Sequence, residues 1–296
     1  MNELYRVLGI SKQAVNQYDK RQKLFDRQVV DLLIEVDGLR ADHPGCGVEK
    51  MYNTLRPDFM GRDRFIELLM ELGYRVKRPK NYHRTTIPAA YKYPNLIEGM
   101  AVKEKNTVWQ SDITYYGLNG RFYYIVFIID VYTRQIVGYA VSDNLRAEAN
   151  RQALKMALKG HGAPKVHHSD RGSQYIEKVY TELLKENGVA ISMGVQAQDN
   201  AYAERINGTI KNEYLKHWEI QSFQSLKRKV KQAVYHYNNG RIHDSLPKGQ
   251  TPGQFGKSSD ECQMVEEIFA QNRITPKEST FFWCDEIKEN NLFCII

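Results

Sequence analysis

At 296 residues, of which 42% are hydrophobic, the chain is long enough to bury a full core and to form more than one domain. Its 42 lysines and arginines outnumber 35 aspartates and glutamates, for a formal net charge of +7. The sequence shows no secretion signal and no apolar run near the roughly 20 residues that a membrane span needs. Its four cysteines are not spaced as zinc ligands, so we expect free thiols and a cytoplasmic location.

The positive charge is concentrated in two stretches. Residues 75–92 contain six basic residues and no acid, and residues 205–231 contain seven basic and two acidic residues. Residues 257–296 are net negative, with four basic and eight acidic residues, and we assign this tail no role. Local basic stretches suit a polyanion such as nucleic acid, although solvated helix faces have a similar composition.

The first 80 residues are predicted to be helical. A turn at Gly9 leads to Ser11, a suitable N-cap, and a second helix is predicted from residue 24 to residue 40. A capped helix after a short turn is typical of the second half of a helix-turn-helix, but a generic helical pair has the same pattern. We expect residues 1–80 to form a helix-turn-helix-like DNA-binding region. Two further short helices are predicted in it, at 48–55 and 62–72.

A basic, proline-containing linker is predicted over residues 81–104, followed by a core over 105–256 in which the hydrophobic period changes. The predicted order is β-β-β-α-β-α-β-α-α, with an Asn119-Gly120 hairpin signal between the first two strands. Three antiparallel strands followed by βαβ units make a mixed sheet flanked by helices, so the fold class is α/β. The strands are predicted at 108–116, 122–130, 135–141, 165–169 and 189–193, and the last two helices at 199–218 and 223–238.

Three carboxylates stand out in this core. Asp112 interrupts the first strand, Asp170 ends the fourth, and Glu204 lies in the first turns of a helix. Ligand sites collect at strand ends in such sheets, and clustered carboxylates repel one another unless a cation compensates them. Their hard oxygens favour Mg²⁺ or Mn²⁺, and two such ions support phosphoryl transfer.

Each acid alone has an ordinary explanation. Asp112 could be paired structurally, Asp170 could be a turn residue, and Glu204 could lie on a solvated helix face. Two observations favour a site: an unpaired aspartate is costly in a strand, and residues 167–172 form a polar cluster that packing does not require. For His167 and His168 we expect hydrogen bonding rather than metal ligation.

Several basic and amide residues near these acids are candidates for DNA contact. Lys211 lies seven residues after Glu204, on the same helix face, where it could reach phosphate or could simply face solvent. Asn200 either caps this helix or binds a ligand. The further DNA-binding candidates are Arg205, Asn207, Arg171, Lys77, Arg78 and Lys80.

Four segments together resemble one known family. Residues 109–115 (WQSDITY), 168–175 (HSDRGSQY), 199–213 (DNAYAERINGTIKNE) and 237–252 resemble the catalytic and closing blocks of IS3-family insertion-sequence transposases, in their open-reading-frame-B product. Residues 43–73 resemble the helix-turn-helix-like region of the same family. The chain departs from the pattern in having 33 residues between Asp170 and Glu204, slightly fewer than usual.

The resemblance implies an RNase H-like DDE integrase core in a bacterial, nucleoid-associated enzyme. It implies that Asp112, Asp170 and Glu204 hold two Mg²⁺ ions, replaceable by Mn²⁺, and that Lys211 contacts the DNA end. The implied reaction is cleavage at the element ends by water, then attack of the freed 3′-hydroxyl on target DNA. The implied partners are double-stranded DNA, a second copy of the chain, and an upstream helix-turn-helix product or a frameshift fusion with it.

Two other functions stay open from the sequence. A nuclease on the same fold would only hydrolyse its substrate, and a protein derived from a transposase could bind DNA without cutting it. The long helical region and the basic linker favour strand transfer over the first, and the intact triad of acids argues against the second.

Overall fold

The computed structural model describes residues 11–76, 93–194, 197–247 and 249–260. The chain divides into two compact units, residues 1–77 and 78–296. The described residues of the first unit, 11–76, form three helices: α1 (Lys12–Asp42), α2 (Val48–Leu55) and α3 (Arg62–Glu71). Within the described residues no helix is both long and apolar enough to cross a membrane.

Helix α1 begins where the sequence predicts but does not break. The Ser11 hydroxyl accepts a hydrogen bond from the Ala14 amide at 3.0 Å, so the predicted N-cap is confirmed. The prediction of a separate second helix from residue 24 is wrong, because α1 is continuous over 31 residues. The junction contains no glycine or proline, and Lys23 pairs with Asp19 one turn earlier at 2.8 Å, which supports a continuous helix.

The core of the first unit lies where α1, α2 and α3 meet. Val36, Met51, Phe65 and Leu69 are fully buried there. The helices α2 and α3 agree with the predicted ones. The residues before Ser11, which would complete a helix-turn-helix, lie outside the described residues, so that motif stays a prediction.

The second unit is built on the predicted mixed sheet. Its five strands lie in the order β3-β2-β1-β4-β5, with β1, β2 and β3 antiparallel and β1, β4 and β5 parallel. The hairpin between β1 and β2 turns at Asn119 (φ 52°) and Gly120 (φ 74°), the positive values that a type I′ turn requires. The strands are β1 (Val108–Leu118), β2 (Arg121–Asp130), β3 (Ile136–Ser142), β4 (Val166–Ser169) and β5 (Ala190–Met193).

Four helices follow the strands in the predicted order: α4 (Ala147–His161), α5 (Lys178–Glu186), α6 (Ala201–Thr209) and α7 (Phe223–Asn239). Residues 252–260 are also helical. One difference concerns the helix predicted over 199–218, which is α-helical only to Thr209 and continues as a π-helix over Ile210–Leu215. Within these wider turns Glu213 accepts two hydrogen bonds from Arg241, at 2.8 and 2.9 Å.

Helices cover both faces of the sheet. Along β2, Val126 and Ile128 pack with α4 and α5, whereas Ile125 and Phe127 pack with α6, the π-helix and α7. Successive side chains of a strand point to opposite faces, so an apolar run such as this one belongs in a strand that is buried on both sides.

Gly138 of β3 marks the closest approach of α4 to the sheet. A Cβ atom at this position would lie 2.3 Å from the backbone oxygen of Ala153. We expect Gly138→Ala to lower the free energy of unfolding by roughly 1–2 kcal/mol, because backbone must move to admit the methyl group. Urea denaturation measures this change.

Gly160, inside α4, is the matched control. A Cβ atom there meets nothing within 4 Å, so Gly160→Ala should leave stability unchanged or raise it by up to about 1 kcal/mol. Equal unfolding midpoints for Gly138→Ala and the unchanged protein would contradict the close approach.

Candidate active site

Asp112 and Asp170 lie next to each other because of the register between two parallel strands. Ser111 of β1 pairs with Ser169 of β4, and the two aspartates follow directly after this pair. Both side chains are partly buried. The structure therefore brings together the first two of the predicted site residues, where β4 ends beside the middle of β1.

Alternate residues of β1 hold the helix that carries Glu204. The Gln110 side-chain oxygen accepts hydrogen bonds from the amides of Tyr202 (3.1 Å) and Ala203 (3.4 Å), at the start of α6. Two residues on, Asp112 accepts a hydrogen bond from Asn207 of α6 at 2.8 Å. Residues i and i+2 of a strand share a face, so this stripe of side chains fixes α6 against the strand of Asp112.

The position of Gln110 gives it a role that the sequence analysis missed. It caps α6, whereas Asn200, the residue at the N-cap position, makes no side-chain cap and donates instead to the Ser111 carbonyl at 2.9 Å. Asn200 is thus a structural tether, and the predicted capping role is wrong, whereas ligand binding by Asn200 stays a prediction. A glutamine inside a buried strand, next to Asp112, was the signal that could have indicated this role.

The three acids influence one another electrostatically. Burial, then repulsion from Asp170 and Glu204, raises the pKa of Asp112 to about 7, despite hydrogen bonds that lower it. Burial raises the pKa of Asp170, and burial followed by repulsion from Asp170 raises the pKa of Glu204. Mutual repulsion among carboxylates is the condition that a bound cation relieves.

Backbone and side-chain donors orient the two aspartates. The amide of Ile113 donates to Asp112 Oδ1 at 2.8 Å, while Asn207 Nδ2 donates to Oδ2. The amide of Gly172 donates to Asp170 Oδ1 at 3.0 Å. Each carboxylate keeps further lone pairs for a ligand, since an ionised carboxylate accepts about four hydrogen bonds.

The donor set fits a hard divalent cation in its chemistry. All three groups are carboxylates, which Mg²⁺ and Mn²⁺ prefer. In the described part of the chain, however, no three acidic, histidine or cysteine side chains converge closely enough to enclose an ion. Glu204, the third carboxylate, is exposed on α6.

His167 and His168 are hydrogen-bonded, as predicted. His167 Nε2 lies 3.0 Å from the Tyr180 hydroxyl, and His168 Nδ1 lies 2.8 Å from the Ser192 hydroxyl. Burial lowers the pKa of His167 to about 3 and that of His168 to about 4, so both rings are neutral at physiological pH.

Comparison with known proteins decides the family. Two models described as Integrase core domain match residues 102–198 and 187–252, which include all three acids. The IS600 uncharacterized 31 kDa protein of Shigella sonnei is 35% identical over 257 residues, 81% of this chain and 93% of that protein. The transposase for insertion sequence element IS629 of Shigella sonnei is 32% identical over 218 residues, 71% of this chain and 73% of that one.

The chain belongs to the insertion-sequence transposases. It is a polynucleotidyl transferase, the class of enzyme to which transposases with an integrase core belong. Among solved structures, the catalytic core domain of HTLV-2 integrase, in complex with magnesium, is similar at 20% identity and a TM-score of 0.43. That alignment covers 54% of the transposase and 97% of the integrase domain.

Lys211 of the transposase extends the contact between β1 and the Glu204 helix. It lies in the π-helix, where its Nζ donates to Thr114 Oγ1 at 3.2 Å and sits 4.7 Å from the centroid of the Tyr115 ring. Burial, and then repulsion from Lys216, lowers its pKa, while Asp112 raises it. The predicted lysine is therefore held close to the carboxylates.

The other candidates for DNA contact have different positions in the transposase. Arg205 is exposed on α6, and Arg171 Nε donates to the Gly194 carbonyl at 3.1 Å. Asn207 is buried and donates to Asp112, so it orients a carboxylate. Three candidates lie outside the described residues: Lys77, Arg78 and Lys80.

Proposed function

We propose that this transposase cuts DNA strands at the ends of an insertion element and joins the freed 3′-hydroxyls to target DNA. Asp112, Asp170 and Glu204 are the catalytic residues and hold two Mg²⁺ ions, with Mn²⁺ as a substitute. The observation that supports this proposal is the arrangement of the three acids: the β1–β4 register places Asp112 beside Asp170, and the helix of Glu204 is attached to β1 by the Tyr202 amide, which donates to Gln110, and by Asn207, which donates to Asp112.

Bound there, the ions would supply Lewis-acid stabilisation of the attacking and the leaving oxygens of an in-line displacement at phosphorus. The protein positions the three acidic residues. Asn207 and the Gly172 amide hold the two aspartates, and the capped start of α6 holds the backbone of Glu204. Water and then the 3′-hydroxyl act as nucleophiles, so no covalent protein–DNA intermediate forms.

The test is joining of a labelled element end to plasmid DNA. A duplex with a recessed 3′-hydroxyl, from the DNA that flanks this gene, is incubated with the transposase and Mg²⁺, with Glu204→Gln and with EDTA as controls. We expect joined products from the unchanged protein with Mg²⁺ alone. If an inactive preparation becomes active when the upstream product is added, that product is a required partner.

Two other outcomes would favour the rival functions. Hydrolysis of the duplex without joined products would indicate a nuclease on the same fold. DNA binding by a folded preparation that neither cuts nor joins, with Mg²⁺, with Mn²⁺ and with the upstream product present, would indicate a non-catalytic DNA-binding protein.

Lys211 is proposed to contact phosphate at the DNA end. We expect Lys211→Ala to weaken DNA binding and to reduce the slope of log affinity against log salt by about 0.9, because one fewer phosphate is neutralised. Fluorescence anisotropy at several salt concentrations gives the slope. Lys185→Ala, which removes an exposed lysine of α5, is the matched control. Parallel lines for Lys211→Ala and the unchanged protein would argue against the contact.

The remaining partner proposals follow from the reaction. Joining two element ends to one target requires at least two active sites, so we propose a dimer or larger assembly on DNA. We also propose that the chain is an IS3-family product and that its helical unit, residues 1–77, recognises DNA. Sedimentation of the protein with and without paired ends tests the assembly.

A further inference from the structure

A cavity with an aromatic wall opens directly beside Asp170. Tyr115, Phe122 and Tyr124 form the wall, and Asp170 and Gly172 lie at the other end. Tyr115 and Tyr124 are directly opposed in the β1–β2 register, and Phe122 lies two residues before Tyr124, so all three side chains start from the same face of the hairpin.

One aromatic ring of the wall is largely exposed to solvent, and the other two are partly buried. Phe122 is 60% exposed, and Leu145, which also lines the cavity, is 45% exposed. The rings of Tyr115 and Phe122 meet edge to face, with centroids 5.5 Å apart and an interplanar angle of 85°. Exposed apolar groups that line a concave site beside polar groups are typical of ligand contact rather than of core packing.

Gly172 allows Asp170 and Gln174 to approach the backbone closely at the cavity end. A Cβ atom on Gly172 would lie 3.0 Å from Asp170 Oδ1 and 3.1 Å from Gln174 Oε1, so a larger residue would crowd both oxygen atoms. Gln174 Nε2 donates to the Leu145 carbonyl at 3.2 Å. This bond orients the Gln174 amide and leaves its oxygen as an acceptor at the cavity end near Asp170.

A positive charge borders the aromatic wall. Lys211 Nζ lies 4.7 Å from the centroid of the Tyr115 ring. An occupant therefore meets flat aromatic groups, one amide acceptor and the Asp170 carboxylate, while the Lys211 cation lies against the Tyr115 ring without lining the cavity. A planar ring attached to a phosphate matches this arrangement, since bases stack on aromatic side chains and lysine binds phosphate.

We propose that the cavity takes an unpaired nucleobase of the DNA, from a nucleotide next to the phosphate that reacts at Asp170. This rests on the proposed function, and it adds a base-binding subsite to it. The base stacks on Phe122 and Tyr124, and the Gln174 oxygen accepts a hydrogen bond from an exocyclic amino group. Unstacking the terminal base would hold the DNA end open at the carboxylates.

Photocrosslinking tests occupancy without requiring reaction. Duplexes with 5-iodouracil at each of the last positions of the element end are irradiated with the full-length transposase in Ca²⁺, and the linked peptides are identified by mass spectrometry. We expect links to the peptide containing Phe122 and Tyr124 from one or two positions nearest the 3′-hydroxyl. Links confined to other peptides would overturn the proposal.

A variant cycle tests whether the base and the wall act together. We expect Phe122→Ala to slow joining of an intact end about tenfold, because one stacking contact is lost. On a duplex that lacks the base at the crosslinked position, the same variant should join as fast as the unchanged protein does on that duplex. Tyr235→Ala, which removes a side chain that is 71% exposed on α7, should change neither. Because Phe122 is exposed, its truncation should not unfold the protein.

The two proposals fail in different ways. If the unchanged protein joins ends but Phe122→Ala is equally slow on intact and abasic duplexes, the subsite is wrong and the proposed function stands. A shift in sedimentation for Phe122→Ala would then identify the wall as a contact with a second copy. If nothing joins even when the upstream product is added, but the expected links form, the base subsite stands and the proposed function fails.

Discussion

Asp170→Asn is expected to reduce DNA joining about 1,000-fold or more while DNA binding is retained. The change replaces a charged oxygen ligand by a neutral amide, and groups that act as one catalytic unit show large losses when any member is removed. Asparagine can still accept the hydrogen bond from the Gly172 amide, so the local backbone should be preserved. Joining rates and binding constants, measured on the same labelled duplex, separate the two effects.

The matched control for this variant is Asp143→Asn, an exposed acid just after β3. It should join DNA at the normal rate. In the metal-free protein Asp170→Asn should not lower the thermal midpoint at pH 8, because burial raises the pKa of Asp170 and its ionised form is therefore unfavourable in the folded state. Normal joining by Asp170→Asn would show that Asp170 is not a catalytic residue.

Hydrophobic period and turn chemistry were sufficient to predict the sheet. The apolar run of β2 could only be a strand buried on both faces, and Asn119-Gly120 specified the tight turn before it. The residue types of Asp112 and Asp170 marked both as site candidates, but their meeting depends on the β1–β4 register, in which β4 ends beside the middle of β1. The triad itself was found from residue types and from the motifs around them.

The contacts that position Glu204 could not be predicted in the same way. Gln110 and the Tyr202 amide are 92 residues apart in sequence, and nothing local to either residue specifies the partner. The π-helix at Lys211 is another case, since helical period alone does not distinguish it from a continuing α-helix. The predicted break before residue 24 is not present in α1, where no glycine or proline interrupts the helix.

The aromatic cavity also depends on tertiary structure. Phe122 and Tyr124 have the composition of an ordinary strand, and both support the prediction of β2. Their proposed second role follows only from the pairing of β2 with β1 and from the return of the chain at Asp170 to the same place. Functional residues that also satisfy the local pattern of a strand give no separate signal in the sequence.

Binding of Mg²⁺ is expected to weaken about 25-fold between pH 7.5 and pH 5.5. The pKa of Asp112 is about 7 in the metal-free protein, against an ordinary value of 3.8. A cation must displace this proton to use the carboxylate, so affinity falls as the pH drops below 7. Isothermal titration calorimetry in two buffers with different ionisation enthalpies measures both the affinity and the number of protons released.

The raised pKa of Asp112 makes the stability of the metal-free protein fall as the pH rises, opposite to the trend in Mg²⁺ affinity. Because the folded pKa of Asp112 lies above its unfolded value, its contribution to stability is complete below about pH 4 and is lost as the pH rises through about 7. Added Mg²⁺ should therefore raise the thermal midpoint most at pH 8 and hardly at pH 5, whereas Asp112→Asn should show little response at either pH. A Mg²⁺ affinity that is constant from pH 5.5 to pH 7.5 would show that the Asp112 carboxylate is not a ligand.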